Sequence, residues 1–193
     1  MTGGNTGIGA EIVRAFSKKG YDAIIHYFEE APLAKELAKE IKTRSVLVEG
    51  DITSEKTRRA LLSAVKKTGR LDVLVNNAGI NVKKGFFELD ENDFMRSFAV
   101  NIIAPFRMIQ EFCPFLRQTK GSVVNIASIR SEKPRTANVA YCASKAALVN
   151  LTKAAAKALA PDVRVNCVSP GPVRTRMQIA GCLLYTSPSP RDS

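Results

Sequence analysis

Five short apolar runs alternate with helical segments along most of this chain, and this alternation restricts the fold more than any other feature. The runs cover residues 23–27, 45–50, 71–77, 121–128 and 163–170, and several are almost continuously apolar. The intervening segments, 8–19, 31–42, 54–68, 90–117 and 139–160, carry apolar residues at helical spacing. Apolar strands that alternate with helices predict a parallel sheet covered on both faces. We therefore expect one α/β domain on a doubly wound, Rossmann-like sheet.

The composition is that of a one-domain globular protein. The 193 residues are 45% hydrophobic, and no apolar run approaches the roughly 18 residues of a membrane helix. The N-terminus has no basic segment followed by an apolar one, so no secretory signal is expected. The four cysteines have no metal-ligand spacing. We expect reduced thiols, no metal site, no membrane partner and a cytoplasmic location.

The net charge of +11 raises the question of nucleic-acid binding. The basic residues are dispersed and usually have acidic residues nearby, and no zinc-finger, RNA-recognition or basic-zipper pattern accompanies them. The charge is therefore interpreted as a solvated surface, and no nucleic-acid partner is expected. An acidic partner or an anionic substrate stays open as an alternative.

The chain opens with a glycine-rich loop, MTGGNTGIG, at residues 1–9. Gly3, Gly7 and Gly9 allow a close backbone approach, and the segment that follows has the apolar spacing of a helix. A helix N-terminus fed by such a loop directs free N–H groups and the positive end of a dipole towards a phosphate. Three glycines alone are weak evidence, but this loop has the features of half a dinucleotide site.

Four further motifs follow the loop in a fixed order. DVLVNNAG ends one predicted strand, GSVVNIAS ends at Ser128, YCASK places Tyr141 and Lys145 four residues apart on a helix, and VSPGPVRTRM follows the last predicted strand. In this order the motifs resemble the short-chain dehydrogenase/reductase family, from Thr2 to about Met177. Within that family the pattern is most similar to the 3-oxoacyl-[acyl-carrier-protein] reductases.

The resemblance implies a hydride transfer between NAD(P)H and a carbonyl or alcohol. Tyr141 is then the proton donor, Ser128 holds the substrate oxygen, and Lys145 binds the nicotinamide ribose. A cation one helical turn from a phenol also lowers its pKa, and we expect Lys145 to do this for Tyr141. Asn101 matches an asparagine that holds a water between Lys145 and solvent, and a purely structural role for Asn101 stays open.

The resemblance also implies a set of cofactor contacts, with Asp51 and Ile52 at the adenine and Thr175 near the carboxamide. Tyr27 stands where an acidic residue would favour NAD, so NADP(H) is favoured and NAD(H) remains an alternative. His26, the one histidine, is expected to have no partner and a structural role. The expected cofactor-binding residues are Gly3, Asn5, Thr6, Gly7, Ile8, Tyr27, Asp51, Ile52, Asn77, Ala78, Gly79, Tyr141, Lys145, Pro170, Gly171, Val173 and Thr175.

Several functions are compatible with these motifs. The substrate is expected to be a small-molecule or carrier-bound carbonyl, as in a 3-oxoacyl-[acyl-carrier-protein] reductase, and a sugar, polyol or steroid dehydrogenase is the alternative. A non-catalytic nucleotide-binding protein and an inactive fragment are further alternatives. By resemblance, the full-length parent is expected to be a homotetramer or homodimer that associates through the helices around 90–117 and 139–160.

Two departures from the family pattern predict that the chain is truncated at both ends. The family's first strand would precede Thr2, and its substrate-binding segment, a helix and its last strand would follow about Ala180. Residues 1–180 are expected to form a partial domain, and 181–193, rich in Ser and Pro, to be disordered or non-native. A missing central strand would leave backbone groups unpaired, so this polypeptide is expected to be unstable or inactive.

Overall fold

All five expected strands form, and every pair of neighbouring strands is parallel. The structure is a computed structural model that describes residues 1–175, so the expected tail at 181–193 and Cys182 lie outside the described residues. Each strand has four or five residues and lies within the apolar run that predicted it. The strands are β1 (Ala23–Tyr27), β2 (Ser45–Glu49), β3 (Val73–Asn76), β4 (Ser122–Ile126) and β5 (Arg164–Val168).

Helices connect the strands, as the sequence predicts. One difference concerns the segment 90–117, which was expected to be a single helix. A π-helical turn at Ala99–Ile103 interrupts it, and single π turns inside helices occur often at functional sites. The helices are α1 (Gly7–Lys18), α2 (Ala31–Glu40), α3 (Glu55–Thr68), α4 (Glu91–Phe98), α5 (Ala104–Thr119) and α6 (Val139–Leu159), with short 3-10 turns at Ile129–Ser131 and Thr136–Asn138.

The strands form two sheets rather than one. β1 pairs with β2, and β3, β4 and β5 form the other sheet in that order. Successive residues of a strand direct their backbone groups to opposite neighbours. Asp72 O accepts from Ser122 N, so Val73 and Val75 direct their backbone groups away from β4. By the same rule Ile24 and His26 face away from β2, towards β3.

Met1 and Thr2 lie between the two sheets and bind both. Met1 O accepts from His26 N, and Thr2 N donates to Val75 O, each at 3.0 Å. The N-terminal ammonium donates to Ile24 O at 3.0 Å. Thus these two residues take the place of a central strand at the carboxyl ends of β1 and β3, and the spatial order becomes β2-β1-(Met1–Thr2)-β3-β4-β5.

Beyond Met1, the space between β1 and β3 is an open groove of about 450 Å³, which we call the interstrand groove. Its walls include the backbone edges of both strands and the apolar side chains of α1. Charged residues lie among its lining residues near the amino ends of β1 and β3. The residues that define the groove are Ile12, Val13, Phe16, Asp22, Ile24, Arg44, Arg70, Asp72, Val73 and Val75.

The core divides in the same way as the sheets. The larger apolar cluster packs α3 and α5 against β3, β4 and β5, with Phe112, Leu116 and Val123 almost completely buried. The smaller one packs α1 and α2 against β1 around Ile25 and Leu37. Both clusters support the carboxyl edge of the sheets, where an open α/β sheet places its ligands.

Two absences hold for the part of the chain that the structure describes. Within residues 1–175, none of the helices has the length and apolar content needed to cross a bilayer. Over the same residues, His, Cys, Asp and Glu side chains form no group of three or more that could hold a metal ion.

Candidate active site

The glycine loop has a conformation that larger residues would disturb. Gly3 has a φ of 58°, in the left-handed region that favours glycine. A Cβ at Gly9 would overlap the carbonyl oxygen of Gly3 and come within 2.8 Å of Asn77 Nδ2. The loop is therefore folded tightly on itself, which leaves its outer face open for a ligand.

Thr2 and Asn77 fasten this loop to the end of β3. Thr2 Oγ1 accepts from the backbone N–H groups of Asn77 and Ala78, both at 3.0 Å. Asn77 Nδ2 donates to the carbonyl oxygens of Thr2 at 3.1 Å and Gly3 at 2.7 Å. Asn77 and Ala78, expected to line the cofactor, thus also position the loop.

The N-terminus of α1 is suited to an anion. Thr6 is its N-cap and makes no side-chain capping bond, and the first turn holds no acidic residue. The first N–H groups of the helix, including that of Ile8, have no partner within the helix. The positive end of the helix dipole and the free N–H donors together favour a diphosphate at the N-terminus of α1. The Cβ position of Gly7 lies 3.2 Å from Thr175, so the end of the PGPVRT segment borders the loop.

The edge expected to hold the adenosine differs from the sequence prediction in two ways. Tyr27 is buried, and its hydroxyl donates to Glu49 Oε2 at 3.3 Å, so a carboxylate lies at this edge although none follows β1 directly. The side chain of Ile52 is 5% exposed and packs in the core, which leaves it little surface for an adenine. Asp51 is exposed and accepts from Thr53, and Asn5 Nδ2 donates to Glu29 O at 2.8 Å.

The structure brings Ser128, Tyr141 and Lys145 together at the carboxyl end of β4. The side chain of Ser128 acts on Tyr141 and lowers the pKa of its phenol. Lys145 Nζ lies 5.7 Å from the centroid of the Tyr141 ring and donates to Ile126 O at 2.7 Å. Three side chains that are up to 17 positions apart in sequence therefore form one cluster.

The pKa values at this cluster correct one expectation. Burial raises the pKa of Tyr141, the side chain of Ser128 opposes that rise, and Lys145 is not among the groups that lower it. Burial also lowers the pKa of Lys145 to about 8. The prediction that Lys145 lowers the pKa of Tyr141 is therefore wrong for this arrangement, because the ammonium is directed at the Ile126 carbonyl.

Asn101 lies in the π turn and is completely buried. Its Oδ1 accepts from Ile80 N at 3.0 Å, and its Nδ2 donates to Ile80 O at 3.0 Å and to Ser144 Oγ at 2.9 Å. The side chain thus has protein partners at both ends, which favours the structural role that the sequence left open. A Cβ at Gly79 would lie 3.2 Å from Asn101 Oδ1 and 3.4 Å from Lys145 Nζ, so these three residues converge.

The segment after β5 borders both halves of the site. Pro170 O accepts from Ile129 N at 3.0 Å, beside Ser128, while Thr175 lies against Gly7. Gly171 and Val173, between them, are exposed. The residues expected to touch the nicotinamide therefore connect the glycine loop with the Ser128 cluster along one edge of the sheets.

A model of the short-chain dehydrogenase family matches residues 1–181. The chain belongs to this family. The chain is 36% identical over 189 residues to the oxidoreductase YghA of Escherichia coli (strain K12), an alignment that covers 94% of this chain and 64% of YghA. It is 36% identical over 179 residues to the 1,2-dihydroxy-1,2-dihydronaphthalene dehydrogenase of Pseudomonas putida, covering 89% of this chain and 68% of that protein.

A solved structure of the same family has the same fold. The L-sorbose reductase of Gluconobacter frateurii, complexed with NADPH and L-sorbose, superposes with a TM-score of 0.87 at 27% identity, over 94% of this chain and 71% of that one. Our chain spans 64% to 71% of the length of these three proteins. The family and the Rossmann-like α/β fold predicted from the sequence are confirmed.

Sequence reasoning missed three contributors to the site. Thr2 fastens the loop, Glu49 brings a carboxylate to Tyr27, and His26 has two side-chain hydrogen bonds although it was expected to have no partner. Each depends on contacts between residues far apart in sequence. A threonine directly before the first glycine of the loop was the one local signal available.

Proposed function

We propose that this chain carries the dinucleotide site and the proton-transfer groups of an NAD(P)(H)-dependent oxidoreductase that interconverts a carbonyl and an alcohol. The observation that carries the proposal is the cluster of Ser128, Tyr141 and Lys145 on the same sheet edge as the glycine loop. A dinucleotide fits the residues present, because a Cβ would fill the turn at Gly9, and the N-terminus of α1 offers unpaired donors. When bound, the nicotinamide supplies or accepts the hydride.

Tyr141, Ser128 and Lys145 each have a separate proposed role in the reaction. The Tyr141 hydroxyl keeps its proton at neutral pH, because burial raises its pKa, and it is thus in the form that donates to a carbonyl oxygen. The Ser128 hydroxyl, whose side chain acts on Tyr141, is proposed to hold the same oxygen beside the phenol. Lys145, whose ammonium lies 5.7 Å from the centroid of the Tyr141 ring, is proposed to bind the nicotinamide ribose, as the family resemblance implies.

Between the two cofactors, the discrimination is proposed to lie at the Tyr27 edge. The sequence favours NADP(H), because no acidic residue follows β1 directly. The carboxylate of Glu49, 3.3 Å from the Tyr27 hydroxyl, adds negative charge that disfavours a 2′-phosphate. The sequence and the Glu49 carboxylate therefore favour different cofactors; NADP(H) stays the sequence-based preference, and side-by-side titration with NAD⁺ and NADP⁺ tests it.

The substrate is proposed to be a small organic carbonyl or alcohol. The dihydrodiol dehydrogenase and the sorbose reductase support this class by their names. A carrier-bound 3-oxoacyl group stays a sequence-based candidate, although neither of these two relatives nor YghA bears that name. A panel of a diketone, a ketose, a 3-oxosteroid and a 3-oxoacyl thioester separates these candidates.

A second copy of the chain is the proposed partner. Several large apolar side chains are exposed on and before α4 and α5, where the sequence predicts association. Size-exclusion chromatography with light scattering tests the oligomer. The exposed residues are Phe86, Phe87, Met95, Ile103 and Phe106.

The truncation stays a proposal, and the interstrand groove supports it. The groove has one open strand position between β1 and β3, beyond the bonds that Met1 and Thr2 make with Ile24 O and Val75 O. Met1 and Thr2 nevertheless bridge both sheets and keep the site residues together. We therefore propose that the 193-residue chain folds with low stability and retains hydride transfer at a low rate.

Dinucleotide binding and reduction test the function in two steps. Titration of the chain with NADP⁺ and NAD⁺, followed by intrinsic fluorescence or calorimetry, is expected to give saturable binding. Tyr141→Phe is expected to keep that binding and to lower turnover by 10²- to 10⁴-fold, the usual contribution of an acid–base group. Absence of dinucleotide binding by the folded chain would contradict the proposal, as would equal turnover by the variant.

A further inference from the structure

His26 lies at the end of β1, beneath the glycine loop, and it is 2% exposed. Its ring bonds to two separate parts of the site. Nδ1 lies 3.2 Å from Gly3 N, which donates to it, and Nε2 lies 2.8 Å from the carbonyl oxygen of Gly50. Since a carbonyl only accepts, Nε2 carries the proton, and Nδ1 is the unprotonated acceptor.

The backbone of the same residue adds two further bonds to the loop. His26 O accepts from Gly4 N at 2.8 Å, and His26 N donates to Met1 O at 3.0 Å. Gly3 and Gly4 belong to the expected phosphate loop, whereas Gly50 directly precedes Asp51, expected at the adenine. One side chain thus connects the two segments that would hold opposite ends of the adenosine diphosphate.

We infer that His26 is a positioning residue that aligns the glycine loop with the Gly50–Asp51 turn through its neutral, Nε2-protonated ring, so that protonation of the ring weakens dinucleotide binding. This inference rests on the proposed function. A proton on Nδ1 would set two N–H donors against each other at Gly3, and the loop would have to move. The bound dinucleotide and the ring proton therefore oppose each other.

The surroundings of the His26 ring both raise and lower its pKa. Burial is the main cause that lowers the pKa of His26, and the N-terminal ammonium of Met1 lowers it further. The hydrogen bond to Gly50 and the charge of Asp51 raise it. The Met1 ammonium also titrates in acid, because burial lowers its pKa to about 6. An experiment on His26 must therefore separate these two groups.

Two substitutions separate the two ring nitrogens. In His26→Asn the amide oxygen can occupy the position of Nδ1 and accept from Gly3, but it cannot reach Gly50. In His26→Gln the amide nitrogen can occupy the position of Nε2 and donate to Gly50, but the acceptor for Gly3 is lost. Neither variant titrates at this position, and both keep the Met1 ammonium, so any remaining acid sensitivity belongs to Met1.

The test is the dissociation constant for NADP⁺ of the wild-type chain and both variants at pH 7.5 and pH 5.5, with folding followed by circular dichroism. At pH 7.5 we expect both variants to bind NADP⁺ about tenfold more weakly than wild type, because each keeps only one of the two bonds through which the ring connects the loop with the Gly50–Asp51 turn. From pH 7.5 to 5.5 the wild-type constant is expected to rise more than that of His26→Asn, but by less than the roughly tenfold of a histidine with an ordinary pKa, because burial lowers the pKa of His26.

Nitrogen NMR gives a second readout, because a chain with one histidine has one imidazole spectrum. We expect the Nε2–H tautomer and a lower His26 pKa with NADP⁺ than without it. The Nδ1–H tautomer, the same pKa in both states, or equal binding by wild type and both variants would overturn the inference. No NADP⁺ or NAD⁺ binding by folded wild type contradicts the proposed function instead.

Discussion

Replacement of Lys145 by Met is expected to make the protein more stable while it removes the activity. Lys145 is 4% exposed, and burial lowers its pKa from 10.5 to about 8. At pH 7 the amine is charged both in the folded and in the unfolded chain. The shift of about 2.5 pH units then corresponds to roughly 3 kcal/mol by which burial of the charge destabilises the fold.

The hydrogen bond from Lys145 Nζ to Ile126 O offsets part of this cost, by about 1 kcal/mol. Lys145→Met is therefore expected to raise the free energy of unfolding by about 2 kcal/mol at pH 7. The corresponding rise in Tm is roughly 6 °C for a chain of this size. Carbonyl reduction is expected to fall to the background rate, because the amine that is proposed to bind the nicotinamide ribose is lost.

The pH dependence of stability shows whether the charged form of Lys145 is the destabilising one. Between pH 8 and 10.5 the unfolded lysine binds more protons than the folded one, so wild-type stability rises with pH across this window. The advantage of Lys145→Met is thus expected to shrink to within about 0.5 kcal/mol by pH 10. Urea unfolding at pH 7, 9 and 10 measures this difference in stability.

Lys153→Met, at an exposed position of the same helix, is the control and is expected to change stability by less than about 0.5 kcal/mol. A Lys145→Met variant that is less stable than wild type at pH 7 would refute the reasoning. A difference in the free energy of unfolding that is the same at every pH would refute it as well.

Three further perturbations test other parts of the site. Gly9→Ala is expected to weaken NADP⁺ binding at least tenfold, because the new methyl group overlaps Gly3 O; unchanged affinity by calorimetry contradicts the close approach. Glu49→Gln is expected to raise the affinity for NADP⁺ relative to NAD⁺, whereas Glu36→Gln, on exposed α2, leaves that ratio unchanged. An N-terminal extension of five apolar, β-branched residues is expected to stabilise the chain by roughly 3 kcal/mol, from about three new backbone hydrogen bonds in the interstrand groove. A Gly/Ser extension of the same length is the control, and equal thermal unfolding of both would contradict a strand position there.

Local sequence patterns predicted the strands and helices because each element needs little outside information. The runs at 23–27 and 45–50 became β1 and β2 almost without change. The π turn at Ala99–Ile103 was missed because its register depends on Asn101 reaching Ile80 and Ser144. Nothing in the apolar spacing of 90–117 indicates such a contact.

In the candidate site, too, features set by local motifs were predictable and contacts between distant segments were not. Ser128, Tyr141 and Lys145 were predicted from motif order, and the structure places them together. The direction of the Lys145 ammonium was not predictable, since Lys145 lies in α6 and the carbonyl of Ile126 belongs to β4. The partners of His26 were missed for the same reason, because both are backbone groups of other segments.

Transfer of a labelled hydride tests the central claim most directly. The 193-residue chain and its Tyr141→Phe variant are each incubated, at protein concentrations above the dissociation constant, with a reduced dinucleotide that carries two deuterium atoms at nicotinamide C4 and with the carbonyl panel. Mass spectrometry detects the product even at a low rate. We predict an alcohol with one deuterium on its carbinol carbon from the wild-type chain, and at least a hundredfold less from Tyr141→Phe. Saturable dinucleotide binding with no deuterated alcohol, or the same yield from both proteins, would contradict a hydride-transfer site built around Tyr141.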